Sequence, residues 1–174
     1  SAVTIDRGNT LASPVTDTFQ LGIPQVMTGT IGANTLIGGA GTQLLFGLGG
    51  IDALDGGADS DRLTGGQGSD TLTGGGGADV FAYGSGDLGS GVDNVTDFAA
   101  GAGGDALDIA ALLVGFDPAT SILTDYIQVN SAAGNSTIRI DANGGGNSFQ
   151  DLVILQGVTG LDVNAMRTNG NLIV

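Results

Sequence analysis

The chain has 174 residues, 34 of them Gly, and a formal net charge of −14, since all 18 acidic residues are Asp and the four basic residues are all Arg. The absence of His and Cys removes the usual ligands of zinc, copper and iron and the parts of Ser-His-Asp or Cys-His catalytic systems, so we expect no enzyme activity. No basic cluster favours nucleic acid binding, and no apolar run of about 18 residues is present that could insert into a membrane.

Residues 1–28 carry no repeat and contain two candidate strand segments, VTIDRGNTLA and DTFQLGIPQV. Because the open end of a stacked-strand structure invites pairing with other chains, we expect these strands to cap the N-terminal end of the array that follows. The first predicted domain boundary therefore lies between residues 28 and 29.

Residues 29–82 consist of six consecutive nine-residue units: GTIGANTLI, GGAGTQLLF, GLGGIDALD, GGADSDRLT, GGQGSDTLT and GGGGADVFA. The period fits a Gly-rich turn of six residues followed by a strand of three. Two units then make one coil of a solenoid, and alternate units stack about 4.8 Å apart. Position eight is apolar in every unit and is predicted to form an inward-facing ladder: Leu36, Leu45, Leu54, Leu63, Leu72 and Phe81.

Stacking also places acidic residues side by side at position six, Asp52 with Asp70 and Asp61 with Asp79. Carboxylates this close repel each other unless a cation lies between them. Ca²⁺ suits such a site because it takes carboxylate and carbonyl oxygens, and tight turns expose carbonyls. Asp59 replaces Gly at position four, where Asp tolerates a left-handed backbone. We therefore expect Ca²⁺ to clamp the segment and the calcium-free segment to be loose; the alternative, a low-complexity acidic linker, does not explain the regular phase.

The units resemble the repeats-in-toxin (RTX) motif GGxGxDxUx, where U is a large apolar residue. The match is closest at residues 65–82 and extends back to Gly47, whereas Asn34 and Gln43 stand at the Asp position of the first two units. The resemblance implies an all-β fold, a calcium-stabilised parallel β-roll, with roughly four to six Ca²⁺ ions bound between turns n and n+2. Each ion then takes the Asp of both turns, the carbonyls of positions two and four of one turn, and those of positions one and three of the other.

Carried onto this chain, the resemblance implies four sites between stacked turns. The best joins Leu48, Gly50 and Asp52 to Gly65, Gln67 and Asp70, and the next joins Gly57, Asp59 and Asp61 to Gly74, Gly76 and Asp79. A weaker site joins Thr30, Gly32 and Asn34 to Gly47, Gly49 and Asp52. The weakest joins Gly39, Gly41 and Gln43 to Gly56, Ala58 and Asp61, because Gln43 is neutral and longer than Asp. Past the repeats, Asp87, Asp93 and Asp97 are expected to close terminal sites with Asp70 and Asp79, and the candidate set is completed by Gly66, Gly68, Gly75 and Gly77.

Residues 83–174 form the third predicted region. The segment GDALDIAALL predicts a helical turn over residues 108–113 with Asp108 near its N-cap. Strands are predicted at Tyr126–Asn130, Thr137–Asp141 and Asp151–Leu155, joined as hairpins. A short helix from Asp162 to Thr168, a turn at Asn169-Gly170 and a strand at Asn171–Val174 complete the prediction.

This third region resembles the type I secretion target domain at the C-terminal end of large bacterial RTX adhesins. The resemblance implies an uncleaved export signal and, as partners, the type I secretion machinery and the N-terminal remainder of a parent adhesin. It also implies a monomer exported to the surface of a Gram-negative cell, where such adhesins support biofilms.

Two other functions stay open, namely a solenoid face that binds ice or glycan, and a C-terminal appendage of a secreted protease or lipase. Positions seven and nine carry no uniform Thr or Asn row, which disfavours the first. Four local patterns are expected to be structural. Arg62 is a surface charge, Val80–Tyr83 is core, the GxGxxG match at Gly84–Gly89 lacks a βαβ context, and Asp141–Asn143 is a hairpin turn and not a calcium loop.

Overall fold

The structure, a computed structural model, describes residues 23–174. Within that range the chain forms 13 strands, one α-helix and two 3-10 turns. The segment VTIDRGNTLA and most of DTFQLGIPQV lie outside the described residues. None of the helices between residues 23 and 174 is long and apolar enough to span a bilayer.

The strands build two sheets that face each other across the core. The first sheet contains, in spatial order, β1 (Gln25–Thr28), β3 (Gln43–Gly49), β5 (Arg62–Gln67), β7 (Val80–Ala82), β9 (Ala106–Asp108) and β13 (Leu172–Ile173), all parallel. The second sheet begins with parallel strands β2 (Thr35–Gly39), β4 (Ala53–Gly57), β6 (Thr71–Gly75), β8 (Asp93–Val95) and β12 (Gln150–Leu155). It ends with two antiparallel strands, β11 (Asn135–Ile140) and β10 (Ile127–Ala132).

Successive repeat units alternate between the two sheets, so that two units make one coil, as predicted. Leu45 pairs with Leu63 in the first sheet, and Leu54 pairs with Leu72 in the second, each pair one 18-residue coil apart. The strands are longer than the three residues predicted, because backbone pairing continues into positions one and two of the next unit, as between Gly57 and Gly75. The predicted six-residue turn is therefore wrong, and the turns shrink to three or four residues.

The ladder at position eight forms the core of the roll, as predicted. Leu45, Leu54, Leu63, Leu72 and Phe81 are at most 2 % exposed, and Leu36 is half-buried at the N-terminal end. Full burial of such a side chain contributes about 1.5–3 kcal/mol. With one large apolar residue in nine, however, the roll buries little per residue, and other interactions must add to its stability.

The roll begins one strand earlier than predicted. β1 pairs in parallel with β3, with Gln25 opposite Gln43 and Met27 opposite Leu45. Residues 23–28 thus continue the repeat pattern, with Gln25 at position six and the half-buried Met27 at position eight. The glycines that mark the later units are missing there, which is why the pattern was not visible in the sequence.

The predicted helical turn is confirmed only in part, because it is shorter than predicted and its N-cap is Ile109, next to Asp108. Leu107 and Ile109 are both fully buried, and this alternation makes the segment a strand, β9, that pairs with β7 and β13. Only residues 110–112 form a 3-10 turn, and Asp108 lies inside the strand.

The predicted hairpin strands and the second helix are confirmed within one or two residues. α1 (Val163–Asn169) begins at Asp162, whose side chain accepts a hydrogen bond from Ala165 N at 2.8 Å, and ends at Gly170 with φ 85°. β13 then docks beside β9, so that the C-terminal residues close the first sheet.

Candidate metal sites

Position-six residues form two ladders along opposite edges of the roll. The first ladder consists of Asn34, Asp52, Asp70 and Asp93, and the second of Gln43, Asp61, Asp79 and Asp105. At every rung a backbone N–H donates to the carboxylate Oδ1 of the residue one coil later, at 2.7, 2.8 and 2.9 Å along the first ladder. The corresponding distances are 2.6, 2.8 and 2.9 Å along the second. These bonds fix each carboxylate between two coils.

The second carboxylate oxygen, Oδ2, lacks a hydrogen-bond donor among the described residues in four of the ladder aspartates. Asp52, Asp61, Asp70 and Asp79 are 1–3 % exposed, and their Oδ2 atoms have no hydrogen-bond partner within residues 23–174. A buried charged oxygen without a donor is costly, and a buried charge is tolerated when it is paired or coordinates a metal. The four atoms therefore fit cation ligands.

Backbone carbonyl oxygens converge on the same places. A methyl group on Gly56 would lie 2.6 Å from both Asp61 Oδ2 and the carbonyl oxygen of Gly74. At Gly47 the same space is bounded by the Asp52 carboxylate and the Gly65 carbonyl. Only Gly leaves this space open, and Gly65 and Gly74 are the position-one carbonyls that the predicted sites require.

From the third unit onward, the turns adopt φ > 0 at positions two and four. Gly50, Gly57 and Asp59 adopt φ values of 108°, 100° and 69°, so the prediction for Asp59 is confirmed. Leu48 also has φ 78° at position two, which its sequence did not signal and which strains a non-Gly residue. Gln67 O already accepts a bond from Gly50 N at 2.9 Å, and a carbonyl has a second lone pair for a cation.

Burial is the main cause of raised carboxyl pKa values along both ladders. It raises the pKa of Asp79 to about 6, with smaller contributions from the charges of Asp105, Asp61 and Asp97. It raises the pKa of Asp93 to about 7, with contributions from the charges of Asp70 and Asp87. Without a cation, the charged ladders are therefore unfavourable in this fold.

Of the three predicted terminal residues, Asp93 lies in the first ladder, Asp87 lies near it, and Asp97 lies at the surface. Asp93 continues the first ladder beyond Asp70, and Asp87 lies near both, close enough for its charge to raise their pKa values. Asp97 is exposed, and its two oxygens accept N–H bonds from Gly74 and Gly75 at 3.0 and 2.8 Å.

Sequence reasoning missed Asp105, which extends the second ladder beyond Asp79. Its Oδ1 accepts from Asp79 N and its Oδ2 from Ala99 N. The last coils are lengthened from 18 to 23 and 26 residues, so the nine-residue period does not reach Asp93 or Asp105. The local pattern DxUx, present at Asp93–Thr96 and again at Asp105–Asp108, was the signal that would have found Asp105.

Acidic side chains alone do not complete a site. Across the part of the chain that the structure describes, no group of three or more acidic residues could hold a metal by itself. Each candidate site combines two position-six residues with turn carbonyls, an all-oxygen set that suits Ca²⁺.

The four structural expectations have mixed outcomes. Arg62 is more than a surface charge, because it forms a 2.6 Å ion pair with Asp108 in β9. Phe81, Ala82 and Tyr83 are buried and Val80 is half-buried, so the core prediction is confirmed for three of its four residues. Gly84–Gly89 forms a loop outside any βαβ unit, and Asp141 Oδ2 accepts N–H bonds from Asn147 and Ser148 within a hairpin loop.

Comparison with known proteins supports this arrangement. Residues 25–54 and 55–87 match the family model of the RTX calcium-binding nonapeptide repeat. The chain is similar to the solution structure of the AlgE6R2 subunit from the Azotobacter vinelandii mannuronan C5-epimerase, with 23 % identity and TM-score 0.56, covering 88 % of this chain and 93 % of that one. For the AlgE6R3 subunit of the same enzyme, identity is 25 %, TM-score 0.53, and coverage 93 % and 86 %.

No curated protein sequence matches this chain. The matches show that residues 25–87 carry calcium-binding RTX repeats and that the described fold is a β-roll. Ca²⁺ is thus the cofactor of the repeats, with several ions per roll.

Proposed function

We propose that this chain is a calcium-dependent folding and export module at the C-terminal end of a secreted bacterial RTX protein, a cell-surface adhesin delivered by the type I secretion machinery. The observation that carries the proposal is the set of four buried Oδ2 atoms that have no donor among the described residues. At neutral pH, folding this segment buries charge that a bound cation compensates.

Low cytosolic Ca²⁺ then leaves the ladders uncompensated, and the chain stays extended enough for a secretion channel. Outside the cell, millimolar Ca²⁺ fills sites of modest affinity, and its binding free energy becomes folding free energy. Asp52 and Asp70, and Asp61 and Asp79, hold adjacent coils together through the ion that each pair shares with turn carbonyls.

Contacts of the C-terminal residues support folding of an export tail onto the roll. The side chain of Asn171 is buried, and its Nδ2 donates to Asp105 O at 2.6 Å and to Gly101 O at 3.0 Å. Its Oδ1 accepts from Gly101 N at 2.8 Å. An uncleaved signal that becomes part of the fold at the last rung of the second ladder would hinder back-sliding once Ca²⁺ binds.

A second candidate is an accessory module of a secreted polysaccharide-modifying enzyme. The similarity to two subunits of a mannuronan C5-epimerase, which extends over most of both chains, favours it. In that case the repeats are structural, and any catalytic residues lie elsewhere in the parent protein.

The first test is far-UV circular dichroism of the chain during a Ca²⁺ titration from calcium-depleted buffer, with Mg²⁺ as the control ion. We expect a coil-to-β transition at micromolar to millimolar Ca²⁺ and none with Mg²⁺, which needs a stricter octahedral geometry. A β spectrum that is already complete in calcium-depleted buffer contradicts calcium-dependent folding.

The second test is export of a reporter fused in front of the chain from a Gram-negative cell with a type I system. We expect export with the full chain and none when residues 162–174 are removed. A reporter that folds with Ca²⁺ but stays inside with the full chain contradicts the export role and favours the accessory module.

A further inference from the structure

Two neutral amides occupy the N-terminal ends of the ladders, Asn34 on the first and Gln43 on the second. Both donate their backbone N–H to the next carboxylate, Asn34 to Asp52 at 2.7 Å and Gln43 to Asp61 at 2.6 Å. By charge alone the two rungs are equivalent, and chain length would rank Gln43 lower. Their side chains, however, are satisfied in different ways.

The Asn34 side chain is satisfied within its own turn. It is half-buried, and its Oδ1 accepts a hydrogen bond from Thr30 N at 2.5 Å and lies 3.2 Å from the Thr30 hydroxyl. With the Thr30 N–H already donating to it, this oxygen gains less from a cation than an oxygen that has no donor. A methyl group on Gly29 would meet both Asn34 Oδ1 and the Gly47 carbonyl, so what sets this rung apart is the donor that its oxygen already has.

The Gln43 side chain is fully buried and only half satisfied. Its Nε2 donates to Ala40 O at 3.0 Å, which fixes the orientation of the amide. Its Oε1 has no hydrogen-bond partner anywhere in residues 23–174. A buried acceptor left without a partner costs about 1–3 kcal/mol. A cation bound to Gln43 Oε1 would remove this cost.

The unpartnered oxygen points to the place that the carboxylates occupy on other rungs. A methyl group on Gly38 would meet the Gly56 carbonyl and lie 2.9 Å from Gln43 Oε1. The equivalent space at Gly47 is bounded by the Gly65 carbonyl and the Asp52 carboxylate. The longer Gln43 side chain therefore still places its oxygen next to a position-one carbonyl, that of Gly56.

We propose that Gln43 is a Ca²⁺ ligand, acting through Oε1 with the Gly56 carbonyl and Asp61, and that the Asn34 rung holds no ion. This reverses the order predicted from the sequence and rests on the calcium binding in the proposed function. Ca²⁺ accepts amide oxygens, but the site carries one carboxylate where the Asp52–Asp70 site carries two. It is the weakest site of the roll and fills last, at its N-terminal end.

The test compares two variants that remove the amide oxygen with little change in size, Gln43→Met and Asn34→Leu. Bound Ca²⁺ is counted by native mass spectrometry and isothermal titration calorimetry on the full chain. We expect Gln43→Met to bind one ion fewer than the unsubstituted chain, and Asn34→Leu to bind the same number. An unchanged count in Gln43→Met, or the loss of an ion in Asn34→Leu, overturns the inference.

A third variant, Gln43→Glu, keeps the inference testable if Gln43→Met fails to fold. A carboxylate at this rung should strengthen the last ion bound by at least about tenfold without changing the count. Affinity that is unchanged or lower overturns the assignment of Gln43. If the unsubstituted chain binds no Ca²⁺ at all, the proposed function fails as well, whereas equal counts in the chain and Gln43→Met reject this inference alone.

Discussion

In the roll each nine-residue unit sends one large side chain into the core, whereas in the three strands of the hairpin region, β10, β11 and β12, apolar residues are much denser. Six fully buried side chains stabilise the hairpin region: Ile127, Ile138, Ile140, Leu152, Val153 and Leu155. Its polar groups are paired as well, as in the Arg139–Asp151 ion pair at 2.7 Å.

The unpaired buried oxygens lie elsewhere. Of the described residues, those whose buried side-chain atoms lack a partner are Gln43, four ladder aspartates and Tyr83, none of them in the hairpin region. The hairpin region thus follows the ordinary rule of burial with satisfied polar groups. The roll exchanges part of its apolar core for cation sites, so its stability depends on an ion supplied from outside.

The largest expected effect is on the roll alone when Ca²⁺ is removed. A ligand at a hundred times its Kd contributes about 2.7 kcal/mol per site, and the roll holds several sites. We expect amide exchange in β4, β5 and β6 to accelerate at least about a hundredfold in calcium-depleted buffer, and that in β10–β12 much less. Hydrogen exchange with mass spectrometry measures both. Equal acceleration in both regions would mean that they unfold as one unit.

Substitution of one glycine that borders a site should disrupt that site while Ca²⁺ is still present in the buffer. In Gly47→Ala the new methyl group meets the Asp52 carboxylate and the Gly65 carbonyl, so we expect the loss of one ion by native mass spectrometry. The matched control is Gly84→Ala, just past the repeats, where the nearest atom is 3.8 Å away and stability should change by less than about 0.5 kcal/mol. A Gly47→Ala chain with a full set of ions contradicts the geometry of the site.

The sequence predicts the ladders well within the regular repeats and poorly in the lengthened last coils. The Gly turns, the apolar position eight and Asp52, Asp61, Asp70 and Asp79 all follow from a fixed period, because each coil repeats the one before it. Asp105 did not follow, since the coil that reaches it is 26 residues long. The Arg62–Asp108 pair spans 46 residues and depends on β9 being a strand, and neither was predicted although DxUx marks that segment.

A smaller effect is expected from pH on the calcium-free roll. Burial raises the pKa of Asp79 to about 6 and that of Asp93 to about 7, above the usual value of 3.8. Between these limits the folded state binds more protons than the unfolded state, so stability falls as pH rises from about 4 to 7. Far-UV circular dichroism in calcium-depleted buffer should therefore show more β structure at pH 5 than at pH 8.

Protons and Ca²⁺ compete for the same oxygens, so the Ca²⁺ concentration at the folding midpoint should rise as pH falls from 7 to 5. Asp93→Asn removes the group with the higher pKa and should flatten the calcium-free profile between pH 6 and 8. A calcium-free roll that gains stability from pH 5 to 8 would show that the ladder carboxylates are compensated without metal.

The smallest expected effect concerns Leu48, whose left-handed backbone is the exception among the position-two glycines. A non-Gly residue at φ 78° costs about 1–2 kcal/mol of backbone strain. Because the Leu48 side chain is half exposed, its burial offsets little of this cost. Leu48→Gly should relieve this strain, offset in part by the greater freedom of Gly in the unfolded chain, for a net gain of about 0.5–1 kcal/mol. The carbonyl of residue 48, the candidate ligand, is unchanged.

The control, Ile51→Gly, lies in the same turn at a residue without positive φ and should lose stability. Urea unfolding at saturating Ca²⁺ compares the two; if both variants lose stability alike, the Leu48 side chain contributes more through contacts than its backbone costs.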